Sequence, residues 1–257
     1  MRGDIKIVAV IQARMGSTRL PGKVLKDILG KPMLWHLVTR VRKASSIDDV
    51  VIATTVNRED DGLEEFATNN HLGIYRGSEN DIVDRMFHAG RKYGADIVVR
   101  VWGDCPLIDP ELIDKVVSQF IKGSYDYADN FHPATYPQGM NFEVYSFKSL
   151  ERIWNEADDS FDREFPSEYV HAHRDSFKTF FDKNDRDFSN IHLTVDYVED
   201  LHLVTEIFKR LYSDKKVFHL GEILDLLEKD PALLKTNQGL ARNIEFARSR
   251  RLREERG

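Results

Sequence analysis

Residues 8–25 read VAVIQARMGSTRLPGKVL, and this stretch decides how the rest of the chain is interpreted. It begins with an apolar run typical of a strand that is buried on both faces of a parallel sheet. A short loop of cations, hydroxyl groups and glycines follows at once. Ligands of open α/β sheets bind beyond the carboxyl ends of the strands, so such a loop predicts a polyanion site, above all for a triphosphate. The loop residues concerned are Arg14, Gly16, Ser17, Thr18, Arg19, Gly22 and Lys23.

This loop differs from the standard phosphate-binding motifs. A P-loop has four residues between its glycines and a Ser or Thr after the Lys. Here five residues separate Gly16 from Gly22, and Val24 follows Lys23. No strand is followed by a G-x-G-x-x-G run, so a nicotinamide-type Rossmann site is not indicated.

The composition is that of a globular protein with ordinary charge. The chain has 257 residues, of which 41% are hydrophobic and 31% charged, and its formal net charge is −6. A mildly acidic chain is a poor electrostatic match for nucleic acid or an anionic membrane, so we expect neither as a partner. The single cysteine, Cys105, excludes an intrachain disulfide and a four-cysteine zinc site. Without an apolar run near 18 residues or a basic-then-apolar leader, we expect a cytoplasmic protein.

Strand and helix patterns alternate through the first 120 residues, which predicts an α/β fold with a mostly parallel sheet covered on both faces. We expect one domain over residues 1–257, with a nucleotide-binding half at about 5–122, an acceptor and dimerisation half at about 123–215, and C-terminal helices and tail at 216–257. The predicted strands lie at 5–11, 50–56, 73–75, 96–102, 141–145, 177–181 and 191–196. The predicted helices lie at 32–43, 58–70, 81–93, from 110 onward, 198–212 and 220–228.

Two aspartates fit a divalent metal site by position. Asp104 follows the strand DIVVRVW, and Asp196 ends the predicted strand IHLTVD. Both are expected at the sheet edge that carries the loop of residues 14–23. Mg²⁺ is held by one or two carboxylates together with water and phosphate oxygens, so the pair predicts Mg²⁺. For either aspartate alone, a helix cap or a turn is the simpler interpretation.

Four segments in order, QARMGSTRLPGKVL, RGSENDIVDRM, VRVWGDCPLIDP and LTVDYVEDL, resemble the SpsF-like family of spore coat polysaccharide biosynthesis. That family is similar to the cytidylyltransferases that activate Kdo and acylneuraminate. The resemblance spans about residues 6–210. It implies a three-layer α/β/α fold of the nucleotide-diphospho-sugar transferase type, CTP as substrate, Mg²⁺ as cofactor and a homodimer. It also implies transfer of CMP from CTP to an acidic sugar or a phosphorylated or phosphonate acceptor, with release of pyrophosphate, for polysaccharide or glycoconjugate synthesis.

The resemblance also implies roles for individual residues. Arg14, Arg19, Lys23 and Asp104 correspond to catalytic residues, and Asp104 and Asp196 to metal ligands. The implied nucleotide-binding residues are Ala13, Arg14, Gly16, Ser17, Thr18, Lys23, Asn80, Asp81, Arg85, Arg100 and Trp102. Trp102 departs from the family's usual Thr or Gln, although an indole could stack on a pyrimidine.

The acceptor side is less defined. Tyr136, Gln138, Asn141 and Glu143 are the candidate acceptor-binding residues, in an aromatic stretch that serves equally well as plain core. The segments YPQGMNFEVYS and DREFPSEYVHAH both depart from the family pattern there. His171 and His173 are two residues apart, so a metal pair on one helix face is not expected.

Three functions stay open. The first is a cytidylyltransferase, and the second a glycosyltransferase that uses a nucleotide sugar on the same fold. A nucleotide-sugar site is commonly served by a metal-bound Asp-x-Asp, and no such motif ends a strand in this sequence. The third, a non-catalytic binding module, requires Lys23, Asp104 and Asp196 to be dispensable. We interpret the C-terminal run ARNIEFARSRRLREERG as a solvated helix or frayed tail.

Overall fold

A computed structural model describes residues 5–214, 216–242 and 244–255. Within these ranges a seven-stranded sheet has the order β5-β4-β1-β6-β8-β7-β9, and a two-stranded ribbon pairs β2 with β3. The strands are β1 (Ile7–Gln12), β2 (Asp27–Ile28), β3 (Lys31–Pro32), β4 (Asp49–Thr55), β5 (Gly73–Gly77), β6 (Ile97–Trp102), β7 (Tyr127–Asp129), β8 (Phe142–Ser146) and β9 (Thr179–Phe181).

The sheet is mostly parallel, as expected. β1 pairs in parallel with β4 and β6, and β4 pairs in parallel with β5. Within the seven strands described for this sheet, only β8 runs against the others, because it is antiparallel to both β6 and β7. The carboxyl ends of β1, β4, β5 and β6 therefore meet at one edge of the sheet.

Helices cover both faces of the sheet. They are α1 (Met33–Val41), α2 (Asp61–Asn69), α3 (Ile82–Lys92), α4 (Pro110–Gly123), α5 (Phe147–Glu156), α6 (Ser160–Glu164), α7 (Pro166–Ala172), α8 (Val198–Leu211), α9 (Leu220–Lys229) and α10 (Ile244–Glu254). None of the helices in the described ranges is both long and apolar enough to cross a membrane.

Successive side chains along the strands point to opposite faces of the sheet, and a hydrophobic core lies on each face. Ile7, Ala9 and Ile11 of β1 pack on one face, against α1, α2, α4, α8 and α9. Val8 and Val10 pack on the other face, against residues of α3, α5 and α7. Successive side chains of a strand point to opposite faces, so a continuous apolar strand needs helices on both sides. This confirms the three-layer α/β/α architecture.

The helix starts follow from local sequence. Asp109 accepts a hydrogen bond from the Glu111 backbone N–H at 2.9 Å, and Pro110 occupies the first turn of α4. Asp81 caps α3 by accepting from the Asp84 N–H at 2.8 Å. A capping carboxylate satisfies an orphan N–H, and proline is tolerated in the first turn, where its missing N–H costs nothing.

One expectation about the second half of the chain is wrong. Residues 191–196 do not form a strand, since the segment makes one isolated bridge, between His192 and Gln138. It is held in place by the N–H of Leu193, which donates to the Gln138 carbonyl at 2.7 Å, and by the N–H of Val195, which donates to the Asp104 carbonyl at 2.9 Å. The sequence analysis assigned no element to residues 147–172, where the structure has the helices α5, α6 and α7.

Candidate active site

A cleft opens at the carboxyl edge of the sheet. Its volume is about 470 Å³, within the range of roughly 300–1,000 Å³ that is usual for small-molecule sites. The loop after β1, the end of β6 and the segment before α8 form one side, and α6 and α10 form the other. Of the predicted site residues, those that line it are Ala13, Arg14, Ser17, Arg19, Lys23, Asn80, Arg85, Arg100, Trp102, Asp104 and Asp196.

The loop after β1 is shaped by backbone contacts. The N–H groups of Ser17 and Gly22 both donate to the Met15 carbonyl, at 2.8 and 2.9 Å. Gly22 has φ of +67°, which L side chains rarely adopt, and it leads directly into the short helical turn that begins with Lys23. The buried carboxylate of Asp60 accepts from the Met15 N–H at 2.6 Å and anchors the loop to the end of β4. These contacts fix the direction in which Lys23 enters the cleft.

Lys23 joins the two predicted metal ligands. Its Nζ lies 2.8 Å from Asp104 Oδ2 and 2.9 Å from Asp196 Oδ1. Burial would lower the pKa of Lys23, but the carboxylates of Asp104 and Asp196 raise it to about 12. The ammonium group is therefore charged at neutral pH. Two carboxylates from distant parts of the chain thus converge on one cation.

Arg19 completes this cluster. Its Nη2 lies 2.8 Å from Asp196 Oδ1, and its guanidinium stacks at 5.1 Å from the ring centroid of Tyr197. Asp196 is positioned in turn by its own N–H, which donates to the buried Asp200 at 3.0 Å. Arg242 then binds Asp200 at 2.7 Å. The segment 191–196 is thus held by hydrogen bonds and ion pairs instead of strand pairing.

Gly103 allows the ends of β1 and β6 to approach each other. A Cβ atom at this position would lie 2.5 Å from the Gln12 carbonyl oxygen and 3.2 Å from the Cα of Ala13. A side chain would push the two strand ends apart, and Asp104 with them. Cys105 is buried, and burial raises the pKa of its thiol well above the usual value, which leaves it a packing residue.

Arg85 is a buried cation at the cleft. It projects from α3 and donates to the carbonyls of Ser78 and Glu79. Within the described ranges no carboxylate lies at ion-pair distance from it. Burial, followed by the charges of Arg14 and Arg100, lowers the pKa of Arg85 to about 10. Its positive charge is therefore only partly balanced by the protein, and an anionic ligand would relieve it.

Several predicted residues lie outside the cleft lining. Thr18 is exposed, Gly16 packs beside Glu59, and Asp81 caps α3 and pairs with Arg163 at 2.6 Å. Asn141 is half-buried just before β8. Gln138 Oε1 lies 3.0 Å from Nδ1 of His192. The structure does not bring these side chains to the cleft.

Two of the proposed acceptor-binding residues are engaged in the interior. Glu143 is fully buried, with Oε2 accepting from Arg100 Nη1 and from the Tyr145 hydroxyl, both at 2.8 Å. Tyr136 is buried as well, and its hydroxyl donates to Asp182 at 2.7 Å. A side chain committed to such a network is not available to an acceptor, so the expectation is corrected for both.

Sequence reasoning missed further residues that line the cleft, most of them on the side formed by α6 and α10. They are Gln12, Glu79, Asp159, Ser160, Phe161, Glu164, Phe165, Ser249 and Arg253. Gln12 carried a signal, because it is a polar residue at the end of an apolar strand. Its Nε2 is buried without a hydrogen-bond acceptor among the described residues. Ser249 and Arg253 belong to α10, so the tail is not merely solvated.

The comparison with known proteins decides the family. A family model described as Cytidylyltransferase matches residues 8–238 of the chain. The chain belongs to the cytidylyltransferase family. It is 31% identical over 234 residues to the spore coat polysaccharide biosynthesis protein SpsF of Bacillus subtilis, an alignment that covers 88% of this chain and 95% of SpsF. The resemblance to SpsF is thereby confirmed.

Solved structures agree with this assignment. A cytidylyltransferase from Leptospira borgpetersenii superposes with a TM-score of 0.86 and 33% identity, covering 92% of this chain and 99% of that one. A CMP:2-keto-3-deoxy-manno-octonic acid synthetase complexed with CTP gives a TM-score of 0.62 at 20% identity, over 80% of this chain and 100% of that one. The second comparison shows a shared fold.

Proposed function

We propose that this cytidylyltransferase transfers CMP from CTP to an acidic sugar, or to a phosphorylated or phosphonate acceptor, and releases pyrophosphate. The observation that carries the proposal is the convergence of Lys23 with Asp104 and Asp196 in the cleft. The family assignment supports a cytidine nucleotide. The related fold of a synthetase complexed with CTP supports CTP itself.

The cations of the cleft suit the triphosphate. Arg14, Arg19 and Lys23 project from one loop, and Arg85 approaches from α3. We assign these four to the phosphates, with the cleft-lining residues Ala13 and Ser17 beside them. Guanidinium and ammonium groups bind phosphate oxygens strongly, and the low exposure of Lys23 and Arg85 strengthens the attraction.

The floor of the cleft suits the base. Trp102 ends β6 beside Gly103, and the Arg100 guanidinium covers its ring at 4.7 Å from the centroid. We assign Trp102 to stacking against the pyrimidine, Arg100 to supporting that ring, and Asn80 to polar contact from the turn before α3. Asp81 acts indirectly by fixing the start of α3.

The donor set of Asp104 and Asp196 fits Mg²⁺. Both carboxylates approach one compact cation, the Lys23 ammonium, within 2.9 Å, so their oxygens already surround a common point. Oxygen ligands and a count of two carboxylates are what Mg²⁺ prefers. When bound, Mg²⁺ would neutralise phosphate charge and orient the nucleotide. Lys23 would then turn from the carboxylates to the phosphates.

The reaction needs positioning and charge neutralisation more than covalent chemistry by the protein. An oxygen of the acceptor attacks the α-phosphorus and forms the new O–P bond, while the bond from the α-phosphorus to the bridging oxygen breaks. Pyrophosphate leaves with that oxygen. Arg19 and Lys23 stabilise the charge that develops on it, and Arg14 holds the terminal phosphate. These are the residues to which we assign catalysis.

The acceptor side of the cleft is formed by α6 and α10. Ser160, Ser249 and Arg253 offer two hydroxyl groups and a guanidinium, and Arg253 is held 3.0 Å from Asp162. Ser249 donates to Glu164 at 2.9 Å and Arg253 pairs with Asp162, so both side chains would exchange these partners for the hydroxyl and acid functions of an acidic sugar. The cytoplasmic location and the homodimer stay predictions.

Pyrophosphate release is the direct test. The protein is mixed with each of CTP, UTP, ATP and GTP across a panel of sugar acids, phosphates and phosphonates, with and without Mg²⁺. We expect release from CTP with at least one acceptor, and only with the metal. Release from UTP alone would overturn the base assignment. No release from any pair, together with transfer from a nucleotide sugar, would favour a glycosyltransferase.

A further inference from the structure

Three potential metal ligands meet away from the cleft. They are Asp129 at the end of β7, His132 three residues later and His171 on α7. Nδ1 of His132 lies 2.9 Å from Oδ2 of Asp129, and Nε2 of His171 lies 3.1 Å from the same Nδ1 and 3.6 Å from the same Oδ2. Two distant segments of the chain thus bring one carboxylate oxygen and two imidazole nitrogens into a small triangle.

The size of this triangle matches a metal site. A tetrahedral ion with bonds of about 2.0–2.2 Å holds its ligand atoms about 3.3 Å apart. The three separations of 2.9, 3.1 and 3.6 Å are distributed around that value. Imidazole nitrogen together with a carboxylate oxygen is a common ligand set for Zn²⁺ and its first-row neighbours, whereas Mg²⁺ prefers oxygen alone.

The carboxylate is already oriented for this role. Oδ1 of Asp129 accepts from the backbone N–H groups of Phe131 and His132, each at 3.0 Å, and the Tyr127 hydroxyl donates to Oδ2 at 2.8 Å. Hydrogen-bonded outer partners of this kind fix ligating groups in known metal sites.

The site is open on one side. The Asp129 side chain is fully buried, whereas the His132 side chain is 34% exposed. An ion could enter past His132 and keep a water molecule in its remaining position. Three protein ligands with one open position is a common arrangement for zinc.

We propose that Asp129, His132 and His171 form a site for a divalent transition-metal ion, of which Zn²⁺ is the best match. The ion would tie α7 to the end of β7. The helix before it, α6, supplies Phe161 and Glu164 to the cleft, so the ion would also hold one wall of the cleft in place. None of its three ligands lines the cleft among the described residues, and the site does not depend on the proposed nucleotide chemistry.

Arg174 allows a metal site to be distinguished from a purely structural hydrogen-bond cluster. Its Nη2 donates to Nδ1 of His171 at 2.9 Å, which places the proton of a neutral ring on Nε2. A metal ion bound to Nε2 requires the proton on Nδ1 instead, so Arg174 must turn into solvent. Arg174 is exposed and can do so. Arg174→Gln would remove a positive charge and could offer an oxygen to that Nδ1–H, so it should tighten metal binding. A purely structural hydrogen-bond cluster predicts no such gain.

The test is a titration of the full chain with Co²⁺ and then Zn²⁺, in excess Mg²⁺ to keep the carboxylates of the cleft occupied. The strong visible absorption of four-coordinate Co²⁺ distinguishes this site from an octahedral oxygen site, and Zn²⁺ should displace it at one equivalent. His132→Gln and His171→Gln should weaken binding by about 100-fold or more, beyond the 10–100-fold cost of losing an outer partner. His173→Gln is the matched control, because His173 lies one residue past α7 and its Nδ1 contacts the Tyr169 carbonyl instead.

Thermal unfolding provides a second readout. Zn²⁺ at a hundredfold excess over its dissociation constant should raise the melting temperature of the unsubstituted chain by about 5 °C or more. The shift should vanish in His171→Gln, persist in His173→Gln and start at lower Zn²⁺ in Arg174→Gln. No binding to the unsubstituted chain, or equal losses in His171→Gln and His173→Gln, would overturn the proposal. A folded Arg174→Gln variant that binds no more tightly would contradict the ligand role of His171 Nε2.

Discussion

Two buried arginines, one on each side of β6, differ in whether a carboxylate neutralises their charge. On the side of the loop after β1, Arg85 is buried against carbonyl groups, and its pKa falls to about 10 through burial and the charges of Arg14 and Arg100. On the side of β8, Arg100 is buried as deeply, yet the carboxylate of Glu143 lies 2.8 Å away. A charge that is paired inside the fold is costly to leave without its partner, whereas a charge left unbalanced at a cleft is available to a ligand. Burial and residue type alone do not separate the two.

The largest effect is expected on stability, at Glu143. Glu143→Gln removes the carboxylate from a buried ion pair and leaves Arg100 without compensation, so the free energy of unfolding should fall by about 3–5 kcal/mol. Urea denaturation measures it. Glu151→Gln, an exposed position on α5, is the control and should change little. A loss below about 1 kcal/mol at Glu143 would contradict the structural role of this pair.

The next effect is expected on catalysis, at Lys23. Lys23→Ala should cost about 2–4 kcal/mol of transition-state stabilisation, as for removal of a strong electrostatic donor. The ratio kcat/KM for CTP measures this loss. Lys26→Ala is the matched control, because Lys26 lies in the same turn but does not line the cleft. A change below tenfold in kcat/KM for Lys23→Ala would refute its role.

A smaller effect is expected at Arg85, where binding and stability should separate. Arg85→Gln should weaken CTP binding by about tenfold, since one charge-assisted contact to phosphate is worth roughly 1.5–3 kcal/mol, partly offset by desolvation. The same variant should lose little stability, because it also removes an uncompensated buried charge. Calorimetric titration and urea unfolding measure the two quantities. A large loss of stability with unchanged CTP affinity would show that Arg85, like the pair of Arg100 with Glu143, serves the fold and not the ligand.

The smallest effect is expected at Tyr136. Tyr136→Phe removes the hydrogen bond to Asp182 and should cost about 1 kcal/mol of unfolding free energy. KM for the acceptor should stay the same, because the hydroxyl is turned away from the cleft into its contact with Asp182. A rise in acceptor KM without loss of stability would restore the original expectation for this residue.

The first half of the fold was predictable from the sequence because its strands are continuous apolar runs. The strands predicted at 50–56 and 96–102 agree within a residue or two with β4 and β6. The segment 191–196 was wrongly predicted as a strand because its apolar residues alternate as in one. In the structure it pairs with loops instead. The helices α6 and α7 are short, and their signals, the Asp159 cap and Pro166 in the first turn, are local.

The candidate site also divides into a part that was predictable from the sequence and a part that was not. Residues on the loop after β1 and at the end of β6 were predictable, because strand ends of a parallel sheet meet at one edge. The burial of Glu143 in an ion pair was not predictable, because its partner Arg100 lies 43 residues away on a neighbouring strand. The wall formed by α6 and α10 joins residues 85 positions apart, as in the contact of Ser249 with Glu164. No local sequence pattern predicts such a contact.

The most direct test of the central claim compares the affinities of CTP and CMP by calorimetric titration in Mg²⁺, which requires no knowledge of the acceptor. If the cations of the loop after β1 hold the triphosphate, the unsubstituted chain should bind CTP at least tenfold more tightly than CMP, and Lys23→Ala should remove most of that difference while Lys26→Ala keeps it. Equal affinities for CTP and CMP in the unsubstituted chain would contradict the account.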